Sequence, residues 1–266
     1  MSLEQRVAQA LRAHLAEHPE ATPRDLALML RLLAKWRHQG LSDALVRQTG
    51  AVVQAGPFAG LRLGPHSTEG GHAPRLLGCY EQELHPHVER LIARGFRRVV
   101  NIGCADGYYA VGLARRLPGA AIEARDSSAA AREACAAVAA ANGVAERVAI
   151  GGTVTPAELS SLADAETWLL VDIEGGEEAL LDPAATPALR QATLLVECHE
   201  GILPGVTQRL AARFAPSHRV TTVAHALGAA ALPPWLQAAS HLDQLLAVWE
   251  WRSAPTPWLV LEPLPD

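Results

Sequence analysis

The 266-residue chain has almost no lysine: of its 23 basic residues only Lys35 is one, and the rest are scattered arginines. The formal net charge is −5 and the pI near 6.1. With no basic run long enough to track a phosphate backbone, this composition excludes a nucleic-acid surface. Long apolar runs are also missing near the start, where acids and arginines interrupt MSLEQRVAQALRAHLAEHPE, so neither a signal peptide nor a membrane anchor is expected. Four cysteines, Cys79, Cys104, Cys135 and Cys198, form no C-x-x-C pair. That argues against a zinc knuckle and a disulfide framework, and it fits a reducing, cytoplasmic setting. What is present is 49% apolar residues, enough to core one domain of about 200 residues with an appendage.

Three stretches differ in pattern. Residues 1–50 read as helices serving as a lid or dimerisation segment. Leu3, Val7, Leu11 and Leu15 recur at helical spacing, Thr22 caps a second helix with Pro23 following, and Gly40 is expected to stop it. LSDALVRQTG then reads as a third, short helix, and the Leu, Met and Trp residues within 27–36 point to a homodimer through these helices. Residues 51–96 connect: glycines and prolines up to residue 78 allow only short strands and loops, FAGLRL among them. CYEQELHPHVERLIARGF returns to a helical period that Gly95 ends. Residues 97–266 alternate apolar strands with helices. The strands are RRVVNIG, AAIEARD, RVAIGG, TWLLVDIE, ATLLVECHE, HRVTTVAH and PWLVLEP. Cores such as Leu169–Leu170–Val171 suit strands covered on both faces, so the expected class is α/β, a doubly wound, Rossmann-like parallel sheet. Ligands bind such sheets outside the carboxyl ends of the strands.

The first of these strands runs into VVNIGCADGYYAVGLA, residues 99–114. Gly103 and Gly107 let the backbone turn and approach a ligand at a helix N-terminus. A dinucleotide signature G-x-G-x-x-G would need glycines where Ala105 and Tyr108 stand. Asp126, at the end of the second strand, has two readings: a carboxylate accepting from both ribose hydroxyls of a nucleoside, or a cap for the helix that starts at Ser127–Ser128.

Together with ARDSSAAAREACAAVAAANGVAERVAI and VDIEGGEEALLDP, this stretch resembles the class I S-adenosylmethionine-dependent methyltransferases, in particular the FkbM-like branch with its D-[VI]-E-G-x-E segment. The resemblance covers roughly residues 76–225. It implies a seven-stranded sheet whose last strand is antiparallel. It also implies S-adenosylmethionine with its methionine part near Gly103, Cys104, Ala105, Asp106, Gly107 and Tyr108, its ribose at Asp126 and Ser127, and its adenine near Gly152 and Thr153. Asn101 and Asp172, at the ends of two strands, complete that set. Two positions depart from the usual pattern: Asn101 where strand 1 often ends in an acid, and Ala105 in place of the middle glycine.

Methyl transfer needs an in-line approach, exclusion of water and removal of the acceptor's proton. VDIEGGE and LVECHE place Asp172, Glu174, Glu197 and His199 at adjacent strand ends, and residues two apart share a side if the strand persists. Three readings stay open for this cluster. His199 is a general base oriented by Glu197 or Asp172; or Asp172, Glu197 and His199 hold Mg or Mn; or the acids cap helices and His199 is a wall residue. Tyr80, Glu81, Tyr109, Glu174 and Trp251 are the candidates for the acceptor wall, and His85 and His87 bind metal only if a further ligand joins them.

The expected activity is O-methylation of a small-molecule or sugar-like acceptor with base assistance. N-methylation, metal-assisted O-methylation, an NAD(P)-dependent oxidoreductase and a non-catalytic cofactor-binding scaffold are the alternatives. A small-molecule partner is expected, with no nucleic acid and no membrane.

Overall fold

The structure is a computed structural model that describes residues 1–68, 70–226 and 229–265. Its helices are α1 (Leu3–Glu17), α2 (Pro23–Thr49), α3 (His72–Leu77), α4 (His85–Arg94), α5 (Tyr108–Arg116), α6 (Ala129–Ala141), α7 (Pro156–Leu162), α8 (Glu177–Leu180), α9 (Val206–Phe214), α10 (Pro234–Gln237) and α11 (His241–Ala247). Its strands are β1 (Arg98–Ile102), β2 (Ala121–Arg125), β3 (Val148–Gly151), β4 (Thr167–Val171), β5 (Thr193–Glu197), β6 (His218–Val223) and β7 (Trp258–Pro263).

The strands form one sheet in the order β3-β2-β1-β4-β5-β7-β6. Pairing is parallel from β3 to β5, and β7 runs antiparallel to both β5 and β6. This is the sheet that the methyltransferase resemblance implies. The continuous apolar strands divide their side chains between two cores. Val99, Ile122, Leu170 and Leu195 pack with α2, α4, α5 and α6. Val100, Leu169, Val171 and Leu194 pack with α7, α8 and α9 on the other face. Strand order reverses between β1 and β4, which opens the crevice where such sheets bind ligands.

Several boundaries differ from expectation. Gly40 does not stop a helix: α2 runs unbroken for 27 residues, capped by Thr22 at one end and by left-handed Gly50 at the other. One interior glycine costs about 1 kcal/mol, and burying His38, Leu41 and Leu45 outweighs it. FAGLRL makes a single bridge, Val52 to Arg62, in place of a strand. His72–Leu77 is a helix with every residue buried, inside a stretch that reads as loop. Exposed leucines do mark the N-terminal helices, with Leu26, Leu30 and Leu33 on α2 all solvent-facing. Among the described residues no helix is long and apolar enough to cross a membrane.

Candidate functional site

A cavity of about 480 Å³ opens at the reversal point. Gly103 follows β1, Asp126 and Ser127 follow β2, Thr153 and Val154 follow β3, and Asp172, Ile173 and Glu174 follow β4. Gly103 is required twice over. Its φ is +83°, and a Cβ there would stand 1.5 Å from the carbonyl oxygen of Asp172. Only a bare backbone lets β1 and β4 close to this distance.

Asp126 lines this cavity but does not cap α6, whose cap is Ser128. Its Oδ1 accepts from Ser128 N at 2.8 Å, and its Oδ2 from Ala105 N at 2.9 Å. It thereby ties the start of α6 to the glycine loop, and each oxygen has capacity for a second hydrogen bond. Asn101 lies on β1 beneath this loop, buried, and both atoms of its side-chain amide lack partners among the described residues.

The rest of the loop is turned away from the cavity. Asp106 is bound by the buried Arg75 at 2.9 Å and by the Ser67 hydroxyl at 3.1 Å, so it anchors the loop to α3. Tyr108 packs edge-on against Phe58 and Tyr80, with the Arg75 guanidinium 5.7 Å from its ring centroid. Cys104 is buried, Gly107 caps α5 with φ +88°, and Gly152 stands beside the lining residue Thr153.

A second cavity, also about 480 Å³, adjoins the first and shares Asp172 and Glu174 with it. Tyr80, Glu197, His199, Glu250, Trp251 and Arg252 are among its walls, and α2 adds Arg31 and Lys35. Neither acid pair is held by a persisting strand, since β4 ends at Val171 and β5 at Glu197. Convergence comes from the loops instead: Glu174 sits at φ +52°, which turns the chain after β4 back over the end of β5.

His199 lies at the centre. Its Nδ1 is 2.8 Å from Glu177 Oε1, an oxygen that also accepts from the backbone N–H of Ile173 and of Gly175. Burial opposes ionisation of Glu177, but the His199 hydrogen bond and these amides outweigh it and hold the carboxyl below its usual range. An ionised partner fixes the proton on Nδ1 and leaves Nε2 as the free acceptor of the neutral ring. Around Nε2 stand Glu174 at 3.3 Å, Asp172 at 3.5 Å and Glu197 at 3.6 Å. The orienting carboxylate is therefore Glu177, where the sequence pointed to Glu197 or Asp172. Burial lowers the imidazole's pKa, yet the Glu177 hydrogen bond and the charge of Glu197 raise it on balance.

Behind these groups lies a charged core that depends on one cation. Arg252 donates to Glu81 at 2.7 Å, to Glu250 at 2.9 Å, and to Glu197 and the Thr256 hydroxyl. Glu81 is fully buried, at φ +50°, and also accepts from the Tyr109 hydroxyl. One guanidinium does not ionise three buried carboxyls equally. Burial pushes Glu81 up to about 8 and Glu250 upward, whereas Arg252 overcomes the burial of Glu197 and holds it low. Burial and the neighbouring Glu197 charge push Asp172 upward, so the pair resists carrying two negative charges. Glu81 and Tyr109 thus stand behind the cavity wall, while Tyr80, Glu174 and Trp251 form it.

Two groups of described residues have the spacing of a cation site: Asp172, Glu174 and His199 here, and His14, His18 and Asp25 between α1 and α2. His85 instead bonds the Tyr80 carbonyl at 3.1 Å, and among the described residues no third ligand joins it and His87.

No protein-family model and no curated protein sequence matches the chain. Among solved structures it is similar to the O-methyltransferase TomG of Streptomyces achromogenes, involved in tomaymycin synthesis and crystallised with S-adenosylmethionine. That match has 15% identity, 85% of this chain and 89% of that one covered, and a TM-score of 0.45. A putative O-methyltransferase from Klebsiella pneumoniae matches at 13% identity over 98% of this chain and 100% of that one, with a TM-score of 0.47. An O-methyltransferase from Bacillus cereus, in complex with S-adenosylhomocysteine, matches at 15% identity over 65% and 78%, with a TM-score of 0.42.

Proposed function

We propose that the protein is a class I, FkbM-like methyltransferase that moves the methyl group of S-adenosylmethionine to a hydroxyl of a small molecule. The observation that carries this reading is the seam between the two cavities. One cavity lies at the strand-order reversal where nucleosides bind, and the other holds an oriented base. They meet at Asp172 and Glu174, within 3.5 Å of His199 Nε2.

The residues present fit the cofactor. Asp126 has spare lone pairs for two ribose hydroxyls, Thr153 and Val154 offer an edge for the adenine, and Gly103 lines the cavity at the start of the loop toward the methionine end. When bound, S-adenosylmethionine supplies an electrophilic methyl on a sulfonium, which leaves as a neutral thioether. Toward the acceptor, Nε2 of His199 takes the hydroxyl proton as the oxygen–carbon bond forms, and Glu177 holds the resulting imidazolium.

The crowding of Nε2 by three carboxylates favours a second reading of the same atoms, in which Asp172, Glu174 and His199 ligate Mg or Mn, with Glu197 adjacent. The two readings separate in one assay. Transfer of a labelled methyl group from S-adenosylmethionine into a panel of hydroxylated compounds is expected to survive exhaustive chelation and to fail in His199→Gln. Loss on chelation with rescue by Mn establishes the metal reading, and absence of transfer to any compound with retained nucleoside binding favours a scaffold.

A further inference from the structure

The two cavity-facing cations of α2 are treated unlike the other buried or bridged arginines. Arg37 is matched by Asp243, Arg75 by Asp106, and Arg252 by three carboxylates. Arg31 and Lys35, one helical turn apart, line the second cavity with no acidic partner among the described residues. Arg31 donates to the carbonyls of Trp251 and Arg252, which fix its position and leave its charge uncancelled. Lys35 has its ammonium 4.4 Å from the Trp251 ring centroid. Burial, and then the like charge of Arg31, depress its pKa, so holding the two together carries a cost. Trp251 supplies the ring face on which Lys35 sits, with its backbone held at φ +69°. A side chain held in that region is strained, and the strain puts the ring under Lys35.

From these two uncancelled cations we infer that the acceptor carries a carboxylate or phosphate group, which Arg31 and Lys35, the latter seated on the Trp251 ring, hold at one end of the cavity while its hydroxyl meets His199. Two uncancelled positive charges one helical turn apart suit an oxyanion, and 480 Å³ admits a single ring or sugar beyond it. The acceptor role rests on the methyltransferase reading; the anion subsite does not.

Because Lys35 is the only lysine, amine acylation of the full chain, read by peptide mass spectrometry, reports on this subsite alone, with the α-amino group as internal control. The probes are 3-hydroxybenzoate and glucose 6-phosphate, against 3-hydroxybenzyl alcohol and glucose. At least one anion is expected to slow acylation of Lys35 fivefold or more, its uncharged counterpart to have no effect, and the protection to fall in both Arg31→Gln and Trp251→Leu. The anion that protects tells carboxylate from phosphate. Equal protection by uncharged probes, no protection by either anion, or protection unchanged in both variants would overturn the inference. Calorimetry with S-adenosylhomocysteine on the same sample separates the two claims. Nucleoside binding without anion protection removes the subsite alone, and protection without nucleoside binding removes the methyl-transfer reading alone.

Discussion

The two adjoining cavities are of equal volume but are built by opposite means. The first is made of backbone and short side chains that leave strand ends at fixed distances: Gly103, Asp126, Ser127 and Thr153 each follow a strand of the parallel sheet. The second is made of long charged side chains from segments far apart in the chain. Its wall and backing join Arg31, Glu81, Glu177, Glu197, His199 and Arg252. A backbone-built site tolerates the loss of one side chain with a local penalty. A site built from shared buried charge fails as a unit, because removing one member leaves the others unpaired.

The largest effect is expected where that shared charge has a single counter-ion. Arg252→Met leaves Glu81, Glu197 and Glu250 without their cation, and should cost about 3–5 kcal/mol in urea unfolding. A loss under 1 kcal/mol would show that the two cavities do not differ in this way. Next in size, His199→Gln should reduce turnover by roughly 10²- to 10⁴-fold and leave nucleoside affinity unchanged.

Smaller again is the effect of the positioning residue. Glu177→Gln should lower turnover by about tenfold or more, because the amide no longer holds the charged ring. It also has a pH signature. The acting form of His199 is the neutral ring and its pKa is raised from 6.5, so the rising limb of kcat/KM should lie above pH 6.5. Glu177→Gln should move that limb to lower pH, an outcome a purely structural role does not give.

A further effect, read in the pH dependence of stability, concerns Glu81. Its folded pKa of about 8 exceeds the ordinary 4.5. Its contribution to stability is therefore full below pH 4.5 and is lost as pH rises through 8. Glu81→Gln should flatten the decline of unfolding free energy over that window.

The same contrast explains what could be read in advance. The α/β class and the glycine loop follow from local pattern, since continuous apolar strands and a strand–loop–helix junction are written in adjacent residues, whereas the antiparallel last strand is implied only by the family resemblance. Gly40 misled because a helix-breaking residue is overridden by tertiary burial on the same helix. Glu177 escaped notice because an acid in the first turn of a helix reads as a dipole partner, though it sits inside the same VDIEGGE segment as Asp172. Nothing in the residues around Arg252 marks it as the cation of a buried cluster. That it serves Glu81 and Glu197, 171 and 55 residues away, is a property of the folded chain. Asp106 shows the reverse error: its place in the loop pointed to the cofactor, and its buried partner Arg75 lies in a helix that glycine-rich sequence conceals.

The most direct test is calorimetric titration of the wild type, Asp126→Ala and His199→Gln with S-adenosylhomocysteine, and of the wild type with NADH. The account predicts that the wild type and His199→Gln bind the sulfur nucleoside alike, that Asp126→Ala binds about tenfold more weakly or worse, and that NADH gives no heat. Binding of NADH, or nucleoside affinity indifferent to Asp126, would contradict it.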